Sequence, residues 1–196
     1  MLEYHVKSYS LVFKTVASYA LDVLTRFTPS LVADLNIESL YKILSIMDLN
    51  SFRIDKNGSK GLFLASSMLN HSCTPNARVI FGTDGHVTVK AKKMIGQGQP
   101  ITIAFCKLLT NTESRLKMLD SSQYFTCSCD LCLDNTEKGT YLSAIVCPKC
   151  KSYLLPRSFH EIDPTWTCKK CHFQTSNEKV KKLVESVRNG YLNISK

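Results

Sequence analysis

Apolar residues recur at four-residue intervals at Val12, Val16, Ala20 and Leu24, which predicts an amphipathic helix from about Leu2 to Leu24. A second stripe, Ile37, Leu40, Tyr41, Leu44 and Met47, follows Asn36. The Asn36 side chain suits an N-cap, because its oxygen can accept a backbone N–H that the first helical turn leaves unpaired. Asp55 to Gly61 is dense in Asn, Gly, Ser and charge and reads as a loop, after which the pattern turns strand-like. Val79-Ile80-Phe81 and Val87-Thr88-Val89 flank Gly82-Thr83-Asp84-Gly85-His86. Asp-Gly tolerates the positive φ of a tight turn, so a hairpin is predicted. Ile101-Thr102-Ile103-Ala104-Phe105 reads as a further strand after the Gly96–Pro100 turn. Thr110 and Glu113 have the spacing of a capping box, opening a helix to about Asp120. A last amphipathic helix is predicted from about Asn177 to Arg188, and no internal repeat is present.

Helices and strands in succession place the chain in the α+β class, and its 196 residues suffice for one sizeable domain with an appendage or for two small domains. At 44% hydrophobic and 21% charged residues the composition is that of a soluble globular protein. No apolar run approaches the roughly 20 residues that span a bilayer. Met1-Leu2-Glu3-Tyr4-His5 does not open a signal peptide, so an intracellular location, nucleus or cytoplasm, is expected. The formal net charge is +9, and six of those excess charges fall between Cys147 and Lys196. A basic stretch can meet nucleic acid or an acidic protein surface, or simply be a solvated helix face. Nucleic acid is not the expected partner, since only charge speaks for it.

Nine cysteines in an intracellular chain point to metal before disulfides. Cys147-x2-Cys150 and Cys168-x2-Cys171, separated by seventeen residues, have the spacing of two tight turns that face each other around one tetrahedral zinc. His172 could replace one ligand, but four cysteines make it unnecessary. A closed four-thiolate site is structural, because it leaves no position open for chemistry. Cys127-x-Cys129-x2-Cys132 offers three more thiolates, and the fourth ligand must be Cys73 or Cys106. The residues alone leave that choice open.

Asn70-His71-Ser72-Cys73-Thr74-Pro75-Asn76 resembles the NHSCxPN signature of SET-domain lysine methyltransferases, most closely its SMYD version. Ile101–Phe105 looks like the family's I-x-I-x-Y strand, and Cys127–Cys132 looks like its post-SET segment, in the family's order. The ribbon at 147–171, with Gly139–Ala144 before it and Trp166 inside it, further resembles the arthropod-expanded SMYD subgroup that includes the msta-like proteins. The resemblance implies a SET-domain β-fold with a helical insert at 1–54 and the C-terminal half of the SET domain at 55–107. A linker helix and post-SET zinc loop would follow at 108–136. A zinc-ribbon-like segment would occupy 137–175, and a C-terminal helical region would start at 176–196. It also implies that Cys73 completes the zinc site of Cys127, Cys129 and Cys132, giving two zinc sites in all.

By the same resemblance the chain is an S-adenosyl-L-methionine-dependent methyltransferase acting on a lysine of a protein substrate, histone or non-histone. Asn70 through its amide, His71 largely through its backbone, and Phe125 by stacking on adenine would hold the cofactor. Two departures stand against activity. Phe105 occupies the position of the family's catalytic tyrosine and lacks its hydroxyl. Nothing before Asn70 resembles the family's glycine-rich cofactor turn, and no MYND-type finger is present, so the chain is expected to be N-terminally truncated and weak or inactive alone. The alternative is a catalytically silent zinc-bearing scaffold that binds protein partners.

Overall fold

Leu11–Phe27 forms helix α1 and Ile37–Asn50 forms α2, packed on each other across a 3-10 turn at Pro29–Leu31. The structure, a computed structural model, describes residues 11–55 and 57–194, so the stretch of the predicted first helix from Leu2 to Ser10 lies outside the described residues. α1 ends where Thr28 leaves the helical region with φ −140°, as residues before proline do. Asn36 caps α2 as expected, its Oδ1 accepting from Ser39 N at 2.8 Å. Leu40 is buried on the inner face, whereas Met47 is exposed and Ser45 takes an inward position.

These helices belong to a first compact unit that runs up to Asn70 and includes Ala77–Ile101. Phe52–Arg53 (β1) pairs antiparallel with Lys60–Gly61 (β2), so the end of the tract read as a loop, Lys60–Gly61, is a strand of a small hairpin. Phe52, Phe63 and Phe81 form its aromatic centre, with ring centroids 5.7 to 6.3 Å apart. Gly61 makes room for this cluster: a Cβ there would sit 2.8 Å from the Phe63 ring. One helical turn, α3 (Leu64–Ser67), follows, and Ser67 Oγ donates to Asn50 O at 2.7 Å. The second predicted hairpin forms as β4 (Ala77–Phe81) against β5 (Val87–Ala91), with Gly85 at φ +82° in its turn.

The second unit holds His71–Asn76 and everything from Thr102 onward. It begins within β3 (Asn70–His71), the partner of β6 (Thr102–Ile103). The strand predicted over 101–105 is therefore shorter, because the Phe105 N–H turns to a side chain instead of a neighbouring strand. Helix α4 spans Thr112–Gln123. Its cap is Asn111, whose Oδ1 accepts from Ser114 N at 2.9 Å, and not Thr110, whose hydroxyl donates to Lys107 O. Glu113 then lies in the first turn and pairs with Lys117 at 2.6 Å, so the predicted capping box does not form and the cap sits one residue later, at Asn111. A one-turn helix, α5 (Asp130–Leu133), carries Cys132, the last cysteine of the Cys127–Cys132 segment.

Four short antiparallel strands follow in the order β7 (Ile145–Val146), β8 (Tyr153–Pro156), β9 (Trp166–Cys168) and β10 (Gln174–Thr175). Helix α6 (Asn177–Ile194) extends past the predicted end at Arg188. Cys147, Leu154, Trp166, Cys168 and Val180 make the small core here, and Trp166 Nε1 donates to Asn177 Oδ1 at 3.1 Å. This one contact ties the aromatic of β9 to the first residue of α6.

Candidate functional site

The site is built on the turn from His71 to Asn76. Ser72 N donates to Ile103 O at 3.0 Å, which joins the turn to β6. Asn76 is buried, and its Oδ1 accepts from Thr102 N at 2.7 Å and from Thr102 Oγ1 at 3.3 Å. The last Asn of the motif is thus a staple that mimics a strand partner. Pro75 beside it is buried as well. Held at both ends, the turn presents His71 and Cys73 inward. Phe105 N–H donates to His71 Nδ1 at 3.0 Å, and His71 Nε2 lies 3.3 Å from Cys73 Sγ.

The ligand atoms of Cys73, Cys127, Cys129 and Cys132 all lie within 4.8 Å of one another. Cys73 Sγ is 3.5 Å from Cys132 Sγ. That is far beyond the roughly 2.05 Å of a disulfide. It approaches the roughly 3.8 Å that separates sulfurs bound at about 2.3 Å to one tetrahedral zinc. The donor set therefore fits such an ion. Hydrogen bonds from Cys106 and Cys132, with help from His71, pull the Cys73 thiol far below its ordinary range, and the same contacts push Cys106 and Cys132 far up. Burial raises Cys127 to about 11. Among the described residues Cys106 shares a cluster only with His71 and Cys73, not with the sulfurs of Cys127, Cys129 and Cys132.

The second group is Cys147, Cys150, Cys168 and Cys171, again with all sulfurs inside 4.8 Å. Cys147 Sγ lies 3.6 Å from Cys171 Sγ, and Cys150 Sγ lies 3.4 Å from Cys168 Sγ. The two tight turns are built alike. Lys151 and His172, each following the second cysteine of its pair, adopt left-handed backbone at φ 60° and 56°. Their N–H groups return to Cys147 O and Cys168 O at 3.0 and 2.9 Å. His172 therefore shapes a turn and is not among the clustered donors. Backbone N–H groups, Cys171's foremost, bring the Cys168 thiol down to about 6, while Cys171 is raised to about 12. This set also fits a closed tetrahedral metal.

The structure brings both Phe105 and Phe125 against His71, with ring centroids 5.3 and 5.8 Å from the imidazole. Phe105 is 36% exposed. Asn70 closes the first unit and is exposed. Sequence reasoning missed three contributors. Arg115 is 1% exposed on the inner face of α4, where a cation at an inward helical position was the available signal. Glu137 is fully buried, accepting from Thr112 N and Oγ1 and from Ser143 N and Oγ. His160 Nε2 reaches Cys127 O at 2.9 Å, a contact across 33 residues with no local signature.

The SET domain family matches residues 8–106 of this chain. The chain is 33% identical over 143 residues to the SET domain-containing protein SmydA-8, isoform A, of Drosophila melanogaster, covering 69% of this chain and 31% of that protein. It is 26% identical over 145 residues to the histone-lysine N-methyltransferase Smyd1 of Mus musculus, covering 65% and 30%. With the histone-lysine N-methyltransferase ASHR1 of Arabidopsis thaliana it shares 32% identity over 138 residues, covering 65% and 27%. The matched segment thus spans less than a third of the length of each of these relatives. Among the described residues, no helix is long and apolar enough to cross a membrane.

Proposed function

This chain belongs to the SET-domain family, on its SMYD branch, and we propose that it is a zinc-stabilised part of a protein-lysine methyltransferase whose turnover is slowed by Phe105. The observation that carries the reading is the convergence on His71. The 71–76 turn, the strand leading to Phe105 and the post-SET loop with Phe125 and Cys127–Cys132 meet around one imidazole. In this reading both four-cysteine groups hold structural zinc, and the Cys73 group fixes the post-SET loop beside the 71–76 turn.

S-adenosyl-L-methionine, when bound, supplies the methyl group that is transferred. Asn70 and the His71 main chain would hold it, with Phe125 as the stacking surface; the imidazole of His71 is engaged by Phe105 N and Cys73 Sγ. The exposed Phe105 edge forms a wall for the aliphatic stem of a target lysine. It can exclude water but cannot orient the amine through a hydrogen bond. Loss of one well-placed catalytic hydrogen bond costs about ten- to a thousandfold in rate. The substrate is a protein, histone or not, and the reducing compartment suited to nine free thiols is the nucleus or cytoplasm. The fold segments follow the family's order: helical insert to residue 54, SET half to 107, post-SET loop to 136, ribbon to 175, helical region after it.

A second reading is favoured by the missing Phe105 hydroxyl alone: a silent SET scaffold that binds proteins. Calorimetry with S-adenosyl-L-methionine and transfer of labelled methyl to a lysine-rich peptide pool separate the two. Methyltransferase ancestry retained in function predicts cofactor binding and a rise of tenfold or more in transfer for Phe105→Tyr. Absence of cofactor binding in both proteins assigns the chain to the scaffold reading.

A further inference from the structure

Eight of the nine cysteines fall into the two four-sulfur groups, and Cys106 is the one left over. It is not isolated. Its Sγ, the Cys73 Sγ and a ring nitrogen of His71 all lie within 4.8 Å of one another. The backbone accounts for the meeting. β3 pairs with β6, Ser72 N donates to Ile103 O, and Phe105 N donates to His71 Nδ1, so the chain delivers Cys73 and Cys106 to one place just beyond the paired strands. Cys106 packs against the core of Cys73, Leu119, Cys127 and Cys132 but is only half-buried, whereas Cys73 is 4% exposed. A third metal does not suit these atoms. With His71 Nδ1 accepting from Phe105 N–H, the neutral ring carries its proton on Nε2, the nitrogen that faces Cys73, and offers no lone pair there. What the cluster can do is thiol chemistry.

We propose that Cys106 is the resolving thiol of Cys73: a peroxide joins the two in a disulfide, and Cys73 is thereby taken off its metal. The inference rests on the reading that Cys73, Cys127, Cys129 and Cys132 hold zinc, which makes Cys73 a thiolate with a free thiol beside it. That pairing is the arrangement of redox-sensing cysteines, and disulfides that form in reducing compartments are of this transient kind. The Cys73 thiolate attacks one peroxide oxygen; an S–O bond forms, the O–O bond breaks and hydroxide leaves. The Cys106 thiol then attacks the Cys73 sulfur; the S–S bond forms, the S–O bond breaks, and the thiol proton departs with that oxygen as water. The two sulfurs lose two electrons, and the peroxide is reduced to hydroxide and water. The sulfurs must close from within 4.8 Å to about 2.05 Å, and a rotamer change moves a Sγ by up to about 3 Å. A thiolate is the metal ligand and a disulfide sulfur is not, so three ligands remain and the 127–132 segment loses its tie to the 71–76 turn. Among the described residues no fifth cysteine clusters with the Cys147 group, which lacks this device.

The test follows zinc release from the reduced, zinc-loaded chain with a metal-binding dye as hydrogen peroxide is added, and maps cross-linked peptides by mass spectrometry. The parent is expected to lose the zinc of the Cys73 group before that of the ribbon, with a cross-link between Cys73 and Cys106. A thiol reductant should then cleave the cross-link and restore the lost zinc binding. Cys106→Ser leaves all eight ligands in place and should start with two zincs. Without a resolving thiol its Cys73 goes on to the sulfinic acid, which thiols do not reverse. Its zinc loss should therefore persist after the reductant. A cross-link from Cys73 to Cys132, its neighbour at 3.5 Å, in place of Cys106 overturns the proposal. So does Cys106→Ser regaining zinc as the parent does, or the ribbon zinc leaving first. Cys106→Ser starting with one zinc makes Cys106 a ligand and overturns it as well. If that variant does not fold, the cross-link in the parent decides alone: Cys73 to Cys106 supports the proposal, and any other pairing of Cys73 overturns it. A parent chain with no zinc on the Cys73 group before peroxide is added defeats the zinc reading itself, and this inference with it.

Discussion

The Phe105 backbone N–H donates to Nδ1 of His71 at 3.0 Å, and this fixes the imidazole tautomer. With Nδ1 an acceptor, the proton of the neutral ring resides on Nε2, which faces Cys73 Sγ at 3.3 Å and donates to it. One side chain thereby links the strand end at Phe105 to the cysteine cluster. His71→Ala removes the acceptor of Phe105 N–H and a donor to Cys73 together. A net loss of about 1–3 kcal/mol is expected, read as a lower thermal midpoint of the zinc-loaded chain, with the Cys73-group metal the more easily stripped. An unchanged midpoint and unchanged metal retention would show that solvent replaces both contacts.

Cys73 and Cys106 are the two candidates that spacing alone leaves equal, and the geometry separates them. Cys73 groups with the sulfurs of Cys127, Cys129 and Cys132, whereas Cys106 groups with Cys73 and His71. The purified chain, reduced and free of chelator, is expected to carry two zincs by metal analysis. Cys73→Ser should carry one, and Cys106→Ser should still carry two. A single zinc in Cys106→Ser would reverse the assignment of the fourth ligand.

Glu137 accepts four hydrogen bonds at zero exposure, from the first residue of α4 and from Ser143 ahead of the ribbon. Glu137→Ala would leave the buried Thr112 N–H, the half-buried Ser143 N–H and two hydroxyls without their acceptor. Removing one member of a buried charged network costs about 3–5 kcal/mol. Glu137→Gln keeps one acceptor oxygen but turns an amide NH2 toward a donor, and should lose less. Denaturant unfolding of the zinc-loaded proteins ranks them. A loss for Glu137→Ala near that of an ordinary surface substitution would mean that water enters to satisfy these groups.

Local rules were legible wherever the chemistry is local. Asn36 caps α2, Asp84-Gly85 turns the β4–β5 hairpin, and the two Cys-x2-Cys pairs converge, because each needs only neighbours in sequence. The cap expected at Thr110 and found at Asn111 shows the limit of such rules: both are good caps, and only the partner of Thr110, Lys107 O, decides between them. The β1–β2 hairpin escaped because two-residue strands carry no periodicity. Glu137 and His160 escaped for a different reason. Their roles are set by groups on other elements, and no spacing along the chain encodes a carboxylate meeting a helix start or an imidazole meeting the Cys127 carbonyl.

The ribbon turns offer a test of backbone chemistry independent of any activity. Lys151 and His172 hold φ 60° and 56°, a conformation that costs an L-residue about 1–2 kcal/mol because its Cβ crowds the backbone. Both keep it because their N–H groups close the two turns on Cys147 O and Cys168 O. Glycine adopts this conformation freely but loses about 0.5–1 kcal/mol through the greater freedom of its unfolded chain. The first quantity is the larger, so Lys151→Gly and His172→Gly should each be neutral to stabilising by about 1 kcal/mol, with the ribbon metal retained. Lys151→Val moves the other way, since a β-branched residue fits the left-handed region worst, and it should both lower the thermal midpoint and ease removal of the ribbon metal by chelator. If His172→Gly instead costs the ribbon its metal, His172 acts as a ligand or a ligand's support, and the purely conformational role assigned to it here is wrong.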